Sequence, residues 1–446
     1  MILSRISLKN FRQFEELSIS FDSALNVIVG KNGSGKSGIL DAITIALGGY
    51  LAGFDSGNKV MGRGLSNDDA RLVVFPSGSG FEVQKQYPVE IEAEAHVRED
   101  NGDTRSITWK RVLAQNGGKT RIAPAKAIMQ YASDLQTQLS KQNKKLILPI
   151  IAYYGTGRLF RHKAEKKISF GGFNRLRGYS NCLDAASDEK SFWQWFKRMS
   201  DIEYERQEKV PELEVVKRAM GQCFVGRKIN FENSTDTVPQ FRYMADTGEF
   251  EIFYSNDKGI VRLPFRMLSD GERVTVRLVA DIAYRMANLN PDLLDRITDE
   301  TPGVVLIDEI DLHLHPGWQK RILADLRYIF PKVQFIVTTH SPFIVTNIET
   351  PESIVSISNQ KASSPSFNTY ARDIDNLLRV LMDADVQPNK VADLKEKFYD
   401  SVDAEQRDSA EKYLRVLENL LGVNHPEYIK AKIAFDLNFD LGDYKE

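Results

Sequence analysis

At 446 residues, 42% apolar and 27% charged, the chain has enough material for two or three domains or for one interrupted α/β domain. A formal net charge of −2 excludes a global polyanion-binding surface. Two cysteines, Cys182 and Cys223, exclude a disulfide framework and a four-thiolate zinc site and point to a reducing compartment. The charged N-terminus MILSRISLKNFRQF is unlike a signal peptide, and no run reaches the ~18 apolar residues of a bilayer span. The expectation is a soluble cytoplasmic protein without a membrane partner.

From the N-terminus, the first predicted elements are a strand, a loop and a helix. LNVIV (Leu25–Val29) is a short β-branched run suited to a buried parallel strand. GKNGSGKS, Gly30 to Ser37, fits the Walker A phosphate loop G-x-x-x-x-G-K-[ST] at every fixed position. GILDAITIALGG follows, with Ile39, Leu40, Ile43 and Leu47 at helical spacing and Gly48-Gly49 as a stop. Gly30, Lys31, Asn32, Gly33, Ser34, Gly35 and Gly38 are the candidate cradle. Small residues there let successive backbone N–H groups curl round a phosphate, at which the helix points its positive end. Lys36 reaches the β/γ-phosphates and Ser37 offers a hydroxyl to Mg²⁺, so ATP and Mg²⁺ are the expected ligands.

Further on, YPVEIEAEAHV and TRSITWKRVLA alternate like strands on either side of EDNGD and predict an antiparallel side sheet. Between positions 158 and 179, Arg158, Arg161, Lys163, Lys166, Lys167, Arg175 and Arg177 are interleaved with Phe160, Phe170, Phe173 and Tyr179. That pattern suits phosphate contact with base stacking, or a solvated loop over the nucleotide lobe. SDEKSFWQWFKRMSDIEYERQ and KVPELEVVKRAMGQCF are helical but too short for sustained heptads, so a compact helical lobe is expected. FRYMADTGEFEIFYS is a second predicted hairpin, with DTG at its centre.

In LSDGER, Ser269 and Glu272 have the spacing of a capping box, so Ser269, Asp270 and Gly271 crown a helix N-terminus, itself an anion site. VVLI (Val304–Ile307) is a second buried strand, and Asp308 at its C-terminal end is the Mg²⁺ carboxylate. Glu309 follows, placed to orient and deprotonate the water that attacks a γ-phosphate. His313 and His315 stand two apart, unlike the four-residue spacing of helical metal pairs, and Asp311 to His315 predict a turn into a helix from Pro316. QFIVTTHSPF leaves His340 at a strand end, where its imidazole can bond the γ-phosphate. After a polar linker near 360–367, DIDNLLRVLMDA, NKVADLKEKFYDSV and SAEKYLRVLENLLG are amphipathic helices of an accessory domain or an assembly surface.

Taken in order, GKNGSGKS, LSDGER, VVLIDEID and VTTHSPF resemble the ABC-type ATPases of the RecF, Rad50 and SMC group. YYGTGRLF (Tyr153–Phe160) and IDEIDLHLHPGWQ are similar to the ATPase subunit of Septu-type antiphage systems, often encoded beside an HNH nuclease. The resemblance covers residues 1–350. The fold class expected is an α/β P-loop ABC-type ATPase head with an antiparallel side sheet, an inserted helical lobe and a C-terminal helical region. Residues 1–165 form the N-terminal ATPase lobe, 166–238 the inserted lobe, 239–360 the C-terminal ATPase lobe and 361–446 the helical accessory or assembly region.

The resemblance implies that Ser269 and Gly271 act in trans on the γ-phosphate of ATP held by another subunit. It makes His340 the switch histidine, places Asp311 in the D-loop across the interface, and sets Arg12 near the nucleotide. No Q-loop glutamine is assigned, although Gln142 is available. The expected activity is hydrolysis of ATP to ADP and phosphate, with Glu309, His340 and Lys36 as the catalytic set. The expected assembly is a homo-oligomer, at least a head-to-head dimer, that controls a separate HNH-type nuclease in antiphage defence, with nucleic acid a further partner. The remaining ~80 residues are helical and too short for a Toprim nuclease domain, so any nuclease acts in trans. A RecF-like DNA-repair clamp and an ATP-stabilised scaffold are the alternatives left open.

Overall fold

The chain opens on a hairpin, β1 (Ile2–Phe11) and β2 (Phe14–Ser20), whose burial alternates along both strands. The computed structural model describes residues 1–54, 63–77, 80–99, 102–141, 145–159, 175–184, 189–224, 238–256, 259–365, 367–372, 374–381 and 389–440. β3 (Leu25–Gly30) is buried at every residue, as its unbroken apolar run requires. It feeds a loop into α1 (Lys36–Leu51), in which every residue except Ser37 and Asp41 is buried. A helix enclosed on all sides needs no polar face, and α1 has none.

A small hairpin, β4 (Leu72–Ser77) with β5 (Gly80–Lys85), precedes β6 (Val89–Arg98) and β7 (Thr104–Leu113). The last two extend the first hairpin into an antiparallel side sheet ordered β2-β1-β6-β7. Its inner face, with Ile6, Leu8, Ile91, Ala93 and Trp109 buried, covers one side of α1. There Trp109 donates its indole N–H to the Ala46 carbonyl at 2.9 Å.

α2 (Lys126–Ser140) leads to β8 (Ile150–Tyr154). An insertion follows, with α3 (Glu189–Arg206), α4 (Pro211–Gln222), a three-stranded antiparallel sheet of β9 (Gln240–Met244), β10 (Glu249–Asn256) and β11 (Gly259–Pro264), and α5 (Asp270–Leu289). Aromatic rings tie it together: Trp193 of α3 lies 4.1 Å from Phe250 and 5.2 Å from Phe265, and Phe192 meets Tyr284 of α5 at 5.9 Å. After α6 (Ile297–Glu300) come β12 (Gly303–Ile307), α7 (Pro316–Gln319), α8 (Ile322–Ile329), β13 (Val333–Thr338), α9 (Pro342–Val345), β14 (Ile354–Ser358) and β15 (Lys361–Ser363).

The second sheet runs β15-β14-β3-β13-β12-β8, parallel throughout except at β15. β13 therefore lies between the strand that carries the phosphate loop and the strand VVLI, and all three end at the same edge. This is the expected α/β P-loop head with its side sheet and C-terminal helices; between β8 and β12 the chain is mixed, because β9, β10 and β11 add a sheet to the expected helices. The DTG hairpin appears as β9–β10, but the third strand, β11, and the β4–β5 hairpin carry no signal read from the sequence.

The chain divides into two compact units, Met1–Leu377 and Leu378–Glu446, with α10 (Ile374–Leu381) spanning the boundary. In the second unit α11 (Asn389–Asp403), α12 (Arg407–Leu421) and α13 (Pro426–Phe435) enclose Phe398, Leu414, Leu417, Ala431 and Phe435. Cys182 and Cys223 are buried and form no disulfide. Among the described residues no helix is long and apolar enough to cross a membrane.

Candidate nucleotide site

The loop after β3 is shaped by what surrounds it. A Cβ on Gly30 would stand 2.6 Å from the Ile357 carbonyl oxygen of β14, so the neighbouring strand excludes a side chain there. Gly35, the N-cap of α1, has φ 89°, and a Cβ on it would meet Gln13 Nε2 at 2.5 Å and Phe14 Cζ at 2.6 Å. Lys36 Nζ donates to the carbonyls of Gly30 and Lys31, both at 2.9 Å, and so sits inside the loop. Burial lowers the Lys36 pKa, and Asp308, Glu309 and Asp311 oppose that shift. Ser34 Oγ is buried without a hydrogen-bond partner. A ring of backbone, a desolvated ammonium and an unsatisfied hydroxyl fit a phosphate.

The acidic strand end is fixed from both sides. The Asp308 N–H donates to the Tyr154 carbonyl at 2.8 Å, continuing the ladder with β8. One carboxylate oxygen, Asp308 Oδ1, accepts from Ser37 Oγ at 3.1 Å and from Thr338 Oγ1 at 2.6 Å. The next residue, Glu309, has φ 47°, and its N–H donates to the same Thr338 hydroxyl at 2.7 Å. Asp311 Oδ1 accepts from Thr339 Oγ1 at 2.5 Å and from the His340 N–H at 3.3 Å. Burial and then the Lys36 ammonium lower the His340 pKa, opposed by Asp311, Glu309 and Asp308.

Lys36, Ser37, Asp308, Glu309, Asp311 and His340 thus meet at the C-terminal edge of β3, β13 and β12. The pair Ser37 and Asp308 offers one hydroxyl and one carboxylate, a donor set that suits Mg²⁺, which keeps waters and takes phosphate oxygens rather than a full protein cage. Among the described residues no group of three or more His, Cys, Asp or Glu side chains could hold a metal ion. His315 instead caps a helix, its Nδ1 accepting the Gly317 N–H at 3.2 Å at the start of α7.

Ser269 is the N-cap of α5, and both halves of the capping box are present: Ser269 N–H to Glu272 Oε2 at 2.8 Å, and Glu272 N–H to Ser269 Oγ at 3.4 Å. A Cβ on Gly271 would stand 3.0 Å from the His313 carbonyl oxygen, so the start of α5 lies directly on the turn after Asp311. Arg12 flanks α1, with Nη2 2.7 Å from Asp41 Oδ2 and its N–H donating to the Asp69 carbonyl at 2.7 Å.

Most of the basic segment, including Phe160 to Phe173, and Gln142 fall outside the described residues. Two of its members inside them are structural ties. Arg175 donates to the carbonyls of Leu289 and Leu146, and Tyr179 is buried with its hydroxyl bonded to Tyr50 and the Pro149 carbonyl. Tyr179 is therefore closed to base stacking, which corrects its inclusion in a nucleic-acid surface.

Thr338 and a buried network behind the site were not anticipated from the sequence. Tyr154 donates its hydroxyl to Asp281 Oδ2 at 2.7 Å, and Arg285 Nε donates to the same oxygen at 2.7 Å while reaching the carbonyls of Gly178 and Ser180. This ties α5 to β8. Thr338 had a signal, its place two residues before His340 at the strand end; Asp281 and Arg285 stand four apart on α5, but their junction with the distant Tyr154 left no local pattern.

Parallel strand, phosphate loop, enclosed helix and acidic strand end define a P-loop ATPase. Family models agree: one described as "AAA domain" matches residues 5–224, and one described as "AAA domain, putative AbiEii toxin, Type IV TA system" matches residues 132–346. The chain is 26% identical over 421 residues to "Retron Vc95 probable ATPase" of Vibrio cholerae, covering 85% of this chain and 78% of that one. It is 25% identical over 357 residues to the Septu protein PtuA of Bacillus thuringiensis, covering 77% and 73%. A shorter match, 36% over 84 residues, links it to the Rad50 ATPase of Pyrococcus abyssi, covering 19% and 9%. Retron ATPases and PtuA are thus homologues over most of the chain.

Proposed function

We propose that the chain is an ABC-type, Mg²⁺-dependent ATPase subunit whose nucleotide-driven assembly controls a separate nuclease in antiphage defence. One observation carries the chemistry: Lys36, Ser37, Asp308, Glu309 and His340, from three distant stretches of sequence, converge on one sheet edge. The backbone from Gly30 to Gly38 cradles the phosphates and Lys36 neutralises their charge. Ser37 and Asp308 would hold Mg²⁺, which would supply positive charge against the phosphate oxygens. Glu309 takes a proton from the attacking water as the water oxygen bonds Pγ and the bridging Pγ–O bond breaks, leaving ADP and phosphate. Burial lowers the His340 pKa in the nucleotide-free chain, and a ring N–H of the imidazole donates to the γ-phosphate.

Ser269 and Gly271 complete the site of another copy. Ser269 and Asp270 are exposed, so the capped end of α5 is open to a phosphate brought by that copy. Arg12 steadies α1 through Asp41 beside that site. The likeness to PtuA supports a nuclease companion. The likeness to the retron protein favours a second proposal, that the chain is the ATPase of a retron.

One experiment separates the possibilities: native mass spectrometry of the tagged chain from its source, with neighbouring genes intact, with and without ATP. The expected result is a complex containing a second polypeptide with nuclease activity. A retron companion identified from its peptides supports the second proposal, and masses that are only multiples of 50.6 kDa contradict both.

A further inference from the structure

We propose that Thr338 is a positioning residue for ATP hydrolysis, fixing the acidic pair Asp308-Glu309 through a single hydroxyl. The inference rests on the roles assigned above to Asp308 and Glu309 and adds the residue that holds them. Thr338 ends β13, the strand between the phosphate-loop strand and the acidic strand, and it is fully buried. A hydroxyl has one proton and two lone pairs. Here the proton goes to Asp308 Oδ1 at 2.6 Å, a short charge-assisted bond, and a lone pair accepts the Glu309 N–H at 2.7 Å.

Both bonds matter for where Glu309 points. Its φ of 47° is a left-handed conformation that a residue with a side chain adopts only when its surroundings hold it there. Two bonds from β13 do so, the Thr338 hydroxyl on Glu309 N–H and the Thr338 carbonyl, which accepts the Ile310 N–H at 3.0 Å. Asp308 Oδ1 accepts Ser37 Oγ as well, so the same oxygen joins the helix after the phosphate loop to β13. Valine matches threonine in shape and suits a buried strand, but it supplies neither bond. It removes the bonds that this hydroxyl makes to the Glu309 N–H and to Asp308 and frees the acidic turn to move.

The test compares Thr338→Val, Thr338→Ser and Glu309→Gln by steady-state ATPase kinetics and by binding of a fluorescent ATP analogue. Thr338→Val is expected to lose about 100-fold in kcat, the scale of an ångström of misplacement, with KM and analogue affinity within about threefold of the parent. Thr338→Ser, which restores the hydroxyl, is expected to recover kcat to within about tenfold of the parent. Adding Thr338→Val to Glu309→Gln is expected to cause no further loss, because both changes remove one function.

Parental kcat in Thr338→Val, with Glu309→Gln stalled, overturns the role of Thr338 alone. Parental kcat in Glu309→Gln overturns the underlying assignment of the base instead. Loss of analogue binding in both Thr338→Val and Thr338→Ser makes Thr338 a residue of the fold and overturns the proposal.

Discussion

One oxygen of Asp308 accepts hydrogen bonds from two hydroxyls of different origin, Ser37 on α1 and Thr338 on β13. Such an oxygen is poorly placed to move, and it registers the two halves of the site against each other. Removing the charges around it separates binding from chemistry. Lys36→Ala takes away the ammonium seated in the phosphate loop and is expected to abolish binding of a fluorescent ATP analogue. Glu309→Gln is expected to bind that analogue as the parent does while kcat falls by ~10²–10⁴-fold, the usual contribution of a general base. Parental turnover by Glu309→Gln contradicts the assignment.

His340 gives a second test through pH. Burial and then Lys36 lower its folded-state pKa, so the folded chain binds the proton less readily than the unfolded chain, whose imidazole titrates near ~6.5. Stability linked to this group is complete above pH ~6.5 and is lost as pH falls from there through the folded pKa. The melting temperature of the nucleotide-free protein is therefore expected to drop less between pH ~7 and ~5.5 in His340→Gln than in the parent. Equal drops contradict the burial of this ring.

Among the elements, legibility followed locality. β3, the phosphate loop and α1 were readable because a buried parallel strand, a glycine turn and a helical repeat each leave a pattern within about ten residues. The capping box of α5 was readable for the same reason, and both its bonds are present. β11 and the β4–β5 hairpin were not. β5 is exposed along its whole length, so no burial alternation marks it.

Asp281 and Arg285 are i,i+4 neighbours on α5, but Tyr154 of β8 joins them only after folding, so the join left no local pattern. Its energetics are correspondingly non-local. Asp281 and Arg285 are 7% and 6% exposed, so Asp281→Leu strands a buried guanidinium, at an expected cost of about 3–5 kcal/mol in urea unfolding. Tyr154→Phe deletes one hydrogen bond and is expected to cost about 1 kcal/mol. Similar small losses in both variants would show that the pair does not hold α5 to β8.

For the molecule as a whole, the order of motifs disclosed a P-loop ATPase, while the proposed assembly has a fainter basis in the sequence. The exposed cap at Ser269 is attached to a helix whose first glycine lies on the turn after Asp311, which sets the cap beside the acidic strand end. The second unit, built on Phe398 and Leu417, shows in its sequence only that one face of each helix is buried. An amphipathic repeat cannot name its partner.

At the heart of the proposed function, ATP bound at Lys36 draws copies of the chain together and Glu309 then hydrolyses it. The decisive experiment is the sedimentation mass of Glu309→Gln with and without saturating ATP and Mg²⁺. A mass at least doubled by nucleotide is expected, reversed in the same variant by Lys36→Ala. An unchanged mass in a variant that demonstrably holds ATP would overturn the proposal.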